Sequence, residues 1–69
     1  MKQFFYLNLV PQIDGYREVH TSDCRFFPTQ HNRIPLGEYF SCREAVAAAK
    51  NKYLKSDGCY YCCRECHTR

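Results

Sequence analysis

Apolar and polar positions alternate near the start of the chain, and the period then changes. Residues 4–10, FYLNLV preceded by a second Phe, are rich in aromatic and branched side chains and read as a strand. Alternation places Phe5, Leu7 and Leu9 on one face and Phe4, Tyr6, Asn8 and Val10 on the other. Pro11 ends the run, and Asp14-Gly15 signals a turn. Residues 16–20 return as a second strand, which predicts an N-terminal β-hairpin with a loop of about five residues. A short irregular or single-turn segment is expected around residues 24–27, limited by Pro28. Residues 34–40 suit a third strand, but Pro35 and Gly37 confine it to an edge or a bulge.

The period becomes helical at Cys42, and one main helix is expected over about residues 42–54. Ser41 followed by Glu44 forms a capping box, in which the hydroxyl accepts an orphan amide and the carboxylate reaches back. The AVAAA run has high helix propensity. At ~100° per residue, Cys42, Val46, Ala49 and Tyr53 fall within a stripe about 60° wide. On that stripe Cys42 reads as a small buried hydrophobe rather than a ligand. Asp57-Gly58 reads as a turn leading into a cysteine-rich C-terminal tail. The fold class is therefore α+β, as a single domain over residues 1–69, without repeat or linker.

Size makes the cysteines matter. A chain of 69 residues has a core too small to contribute more than ~3–5 kcal/mol, so a disulfide or metal staple is expected. Six cysteines supply the means. The opening stretch has one Lys, an apolar run interrupted by Asn8 and no small-residue cleavage site, unlike a secretory signal. It is also too short to span a bilayer. These features favour a cytoplasmic protein with no membrane association, where clustered cysteines more often bind metal than pair as disulfides.

The cysteine spacing is specific. Zinc takes four ligands in a tetrahedron, commonly thiolate and imidazole. The tail GCYYCCRECHTR contains two C-x-x-C pairs, Cys59/Cys62 and Cys63/Cys66. A regular helix cannot bring all four to one ion, because Cys59 and Cys66 would lie ~10 Å apart along its axis. Upstream, His20 and Cys24 form an H-x3-C pair at a strand end, where a strand residue and a turn residue can converge. A zinc shared between this pair and a tail pair would close a long loop and stabilise a small core.

The segments VHTSDCRFFP, FSCREAVAAAKNKY and DGCYYCCREC together resemble the small zinc-binding module of the Ada type. That family is the metal-binding domain of the alkyl-phosphotriester DNA repair protein, with related modules in DNA-processing proteins. The resemblance covers about residues 16–67. It implies Zn2+ held by His20 and Cys24 with Cys63 and Cys66, which match the closing C-x-x-C. Cys62 stands where the family usually has proline. The segment after Gly58 is one residue longer than in the family, so Cys59 and Cys62 are the alternative second pair. In the repair protein the first ligand is a cysteine whose thiolate accepts a methyl group. His20 holds that position here, and an imidazole cannot perform thiolate chemistry.

Four protein ligands also close a zinc site to water, so the expected role is structural and the chain is not expected to be an enzyme. Nucleic acid is the partner that the resemblance implies. The net charge of +3 permits contact with phosphates without demanding it. Residues 1–42 carry four basic and four acidic side chains, and residues 43–69 carry six and three. Lys50, Lys52, Lys55, Arg64 and Arg69 are the candidate phosphate contacts, with Tyr60 or Tyr61 stacking on a base. Two alternatives stand beside this reading. One is a protein-interaction or scaffold domain using Phe4, Tyr6 and Val10. The other is a thiol-redox or metal-handling protein using Cys59 and Cys62, although the βαβ context of such a motif is absent.

Overall fold

Alternating burial along the first two strands sets the architecture. The computed structural model describes residues 1–68. Strand β1 spans Gln3–Asn8 and strand β2 spans Arg17–Thr21, and they pair antiparallel with Leu7 opposite Val19 and Tyr6 opposite His20. Strand β3, Arg33–Tyr39, lies antiparallel on the other side of β1. Its ladder slips between Phe5 and Tyr6, where Gly37 adopts φ 115° and Pro35 cannot donate. The irregular edge strand expected from Pro35 and Gly37 is thus present.

Helix α1, Cys42–Lys50, begins with the expected cap: Ser41 Oγ accepts from Glu44 N–H, and the Glu44 carboxylate accepts from Phe40 N–H at 3.0 Å. Its buried side chains are Cys42, Ala45, Val46 and Ala49. The alanines let the helix lie close to Phe5, Leu7 and Val19, with Ile34, Leu36, Tyr39 and Tyr53 packed around this core. The helix ends short of the expected residue 54. Asn51 and Lys52 donate to Ala48 and Ala49 at 3.2 and 2.9 Å, which tightens the last turn and stops propagation. Tyr53, beyond the helix, still packs against the core, with Arg17 4.1 Å from its ring centroid.

Three further findings differ from expectation. Asp57-Gly58 is no turn: Ser56–Gly58 form strand β4, parallel to β2, giving the sheet order β3-β1-β2-β4. Nothing in Ser-Asp-Gly favours a strand, so the backbone ladder to β2 decides its conformation. Strand β1 ends at Asn8 rather than Val10, because Asn8 Oδ1 turns back to accept from Val10 N–H at 3.0 Å. Cys42 is buried as expected, but it is also disulfide-bonded to Cys66, so one cysteine pair is a disulfide and not a metal site. That bond ties the start of α1 to a single 3-10 turn at Arg64–Cys66, with a Cα separation of 6.4 Å.

This layout leaves β2 buried on both faces. Val19 faces the helix layer, and His20, its neighbour, faces the opposite side. The tail crosses over the end of β4, where Gly58 has no room for a side chain. A Cβ there would sit 2.7 Å from the Cys63 carbonyl oxygen and 2.7 Å from Cys66 Cβ. Gly58→Ala is therefore expected to destabilise the fold by about 1–3 kcal/mol through overpacking. Chemical denaturation of the variant beside the wild type measures it, and equal midpoints would refute the close approach.

Candidate metal centre

The sheet face opposite α1 is covered by two turns, and each delivers sulfur to His20. The first follows β2 directly: Cys24 N–H bonds to Thr21 carbonyl at 3.2 Å and Phe27 N–H to Cys24 carbonyl at 3.0 Å. The second follows β4. Cys59 N–H bonds to Val19 carbonyl at 3.0 Å, which extends the parallel ladder and sets Cys59 beside His20. Cys63 N–H then bonds back to Cys59 carbonyl at 2.9 Å, and this tight turn brings Cys62 round to Cys59.

The result is a cluster of His20, Cys24, Cys59 and Cys62, whose ligand atoms all lie within 4.8 Å of one another. Cys24 Sγ and Cys59 Sγ are 3.8 Å apart, and Cys62 Sγ is 3.9 Å from His20 Nδ1. A tetrahedron with metal–sulfur bonds of ~2.3 Å has edges of about 3.8 Å, so these separations match a four-ligand cage. His20 and Cys59 are buried, while Cys24 and Cys62 are partly so.

Each sulfur also accepts a backbone amide. Phe26 N–H points to Cys24 Sγ at 3.5 Å, Tyr61 N–H to Cys59 Sγ at 3.4 Å and Thr21 N–H to Cys62 Sγ at 3.4 Å. Two of these come from the residue two positions after the cysteine, so the two turns present their sulfurs in the same local geometry. Such donors stabilise thiolates. Without a cation, other forces win. Burial raises the Cys24 thiol and pushes Cys59 up to about 12. Cys62 is raised by donating its proton to Cys63 and by burial. With these shifts the three thiols hold their protons at neutral pH, and a nearby cation would favour their ionised form.

The other cysteines lie elsewhere. Of the pair that the family resemblance favoured, Cys66 is held by Cys42 and Cys63 is packed in the hydrophobic core. The pair facing His20 and Cys24 is the alternative one, Cys59 and Cys62. The reason is β4: it carries the chain past His20 before the tail turns, so the first C-x-x-C reaches the site. Cys63 stays close, with its sulfur 3.9 Å from Cys62 Sγ, and accepting that hydrogen bond lowers its own pKa.

The candidate basic residues have different neighbours. Arg64 lies over the Tyr60 ring at 4.8 Å. Lys50 lines a groove together with Asp57 and Glu65, Lys55 packs over Tyr16 at 5.8 Å, and Lys52 is exposed beyond α1. Arg69 falls outside the described residues. Sequence reasoning missed Phe26 and Arg25 beside the site: Phe26 stacks on Tyr61 with centroids 4.6 Å apart, and Arg25 lies 5.4 Å from the Phe26 centroid. Their position two residues or fewer from Cys24 was the available signal. Among the described residues, no helix is long and apolar enough to cross a membrane. No family model matches the chain, and neither a curated protein nor a solved structure does.

Proposed function

We propose that this protein is a non-enzymatic module whose fold is locked by one structural zinc ion on His20, Cys24, Cys59 and Cys62. The observation that carries this reading is the convergence of four ligand atoms at tetrahedral spacing, with an amide aimed at each sulfur. Three thiolates and one imidazole are soft donors, which select zinc over calcium or magnesium. A fourth protein ligand leaves no open position for water or substrate, so the metal supplies stability rather than catalysis. The arrangement keeps the pairing of an Ada-type module, H-x3-C with C-x-x-C, in the alternative tail register. With an imidazole in the first position, methyl transfer by that residue is no part of the proposal.

Purified protein should bind one zinc per chain. Cys24→Ser, Cys59→Ser and Cys62→Ser should each weaken binding by more than about 100-fold, beyond the loss typical of an outer-shell change. Cys63→Ser and Cys66→Ser should retain tight binding. The reverse result, with Cys63 and Cys66 essential and Cys59 and Cys62 dispensable, would move the site to the other register.

Zinc must displace the protons that the metal-free thiols hold. Burial raises Cys24 and Cys59, so binding releases protons and low pH opposes it. Apparent affinity should rise with pH between about 6 and 8, by up to about three orders of magnitude per pH unit for three protons. Competition titration against a chromophoric chelator reads this slope, and a flat profile would count against three thiolate ligands.

A second reading concerns the partner. Phe26, Tyr60 and Tyr61 are 48%, 43% and 64% exposed, and Arg25 and Arg64 lie over two of these rings. Exposed rings interleaved with cations suit single-stranded nucleic acid, where base stacking contributes ~1–3 kcal/mol per base. The protein-interaction alternative has less support from Tyr6, which already meets Phe27 edge-on with centroids 5.0 Å apart and has Arg33 5.4 Å from its ring centroid. A fluorescent oligonucleotide should bind at low salt, weaken steeply as salt rises and lose affinity with Tyr61→Ala or Arg64→Ala. No binding at low salt would remove nucleic acid as the partner.

A further inference from the structure

Glu18 and His20 are two residues apart on β2, so their side chains leave the same face of the sheet. The imidazole is almost fully buried, and its two nitrogens have unequal surroundings. Nδ1 faces Cys62 Sγ at 3.9 Å. Nε2 is buried and, among the described residues, has no hydrogen-bond partner. An imidazole that ligates a metal through Nδ1 carries its proton on Nε2, and buried N–H groups need an acceptor. Because Nε2 exposes less than 1 Å² to solvent, water cannot supply one without a rearrangement.

The carboxylate of Glu18 is the group placed to answer this. Its Oε1 lies 3.9 Å from His20 Nε2, and the side chain is 14% exposed. That gap exceeds a hydrogen bond by about 1 Å, within reach of a small χ adjustment of a glutamate. The same cleft is lined by Asn8, whose Oδ1 accepts from Val10 N–H, by Tyr60 and Tyr61, and by Gln12, whose Nε2 donates to Glu18 Oε1 at 3.5 Å. The Gln12 amide therefore steadies the carboxylate.

We infer that Glu18 is a positioning residue for the metal centre: its carboxylate accepts the Nε2 proton of His20 and so directs the Nδ1 lone pair at the ion. The inference rests on the zinc reading above and adds to it a ligating atom and an outer partner. An anionic acceptor makes the imidazole a stronger donor and fixes its tautomer and ring orientation.

The test uses the full chain, uniformly labelled with nitrogen-15 and loaded with zinc. The His20 ring-nitrogen shifts should report Nδ1 bound to metal and Nε2 protonated. Glu18→Ala should lower zinc affinity ~10–100-fold and speed exchange of the Nε2 proton with solvent. The near-isosteric Glu18→Gln, which keeps an acceptor oxygen and loses the charge, should fall between the two. Ligation through Nε2, or affinities of both variants within about twofold of wild type, would overturn the inference while leaving the zinc site in place. Wild-type protein that binds no zinc at all would instead overturn the reading beneath it.

Discussion

An imidazole buried in an inner strand is the constraint on which this structure turns. A sheet has two faces, and here one helix covers one of them. On the other face β2 presents His20, which is 1% exposed. Burying such a group is unfavourable unless its nitrogens find partners. The chain surrounds it with three sulfurs carried on two turns, Cys62 Sγ lying 3.9 Å from Nδ1. Those sulfurs are themselves poorly placed to ionise alone, because burial raises Cys24 and Cys59. On the zinc reading, a single dication among them would partner the three sulfurs and one imidazole nitrogen at once.

The remaining stability has a different origin on the other face. There the core is short: one Phe, one Leu and two Val are its larger buried members, and two alanines and two cysteines fill the space beneath α1. The Cys42–Cys66 disulfide fastens the tail to the helix on this side. On the zinc reading, the ion fastens the same tail to β2 on the opposite side. The tail segment between Cys59 and Cys66 would then be held from both faces of the sheet, and each cross-link closes a long loop of chain. Cys63 sits between the two, in the core but within 3.9 Å of Cys62.

Local pattern was enough for the hairpin, the edge strand and the helix start. Each depends on signals within a few residues: alternation in residues 4–10, Pro35 and Gly37, and Ser41 with Glu44. The first half of the candidate cluster was equally local, since His20 and Cys24 are joined by one turn. The second half was not. Cys59/Cys62 and Cys63/Cys66 have identical spacing, so nothing within the tail distinguishes them. What distinguishes them is the parallel pairing of β4 with β2, a contact between segments far apart in sequence and made by Ser-Asp-Gly, which has no strand propensity. Gly58 held the one clue: it is needed for space, not for an unusual φ. The disulfide was hidden for the same reason, because it depends on tail and helix meeting in space.

The two turns that carry the sulfurs also carry the exposed rings. Phe26 lies two residues after Cys24, and Tyr60 and Tyr61 lie between Cys59 and Cys62. Their backbone amides bond to the sulfurs: Phe26 N–H to Cys24 and Tyr61 N–H to Cys59. The 4.6 Å stacking of Phe26 on Tyr61 therefore spans the same gap as the 3.8 Å contact of Cys24 with Cys59. If an ion fixes the sulfurs, it also fixes the spacing of the rings above them. A coordinatively closed metal would then act on the protein's surface without touching a partner, by holding two otherwise independent turns at one separation. On the proposed reading, that coupling would make the ring cluster, rather than the metal, the surface that meets a partner.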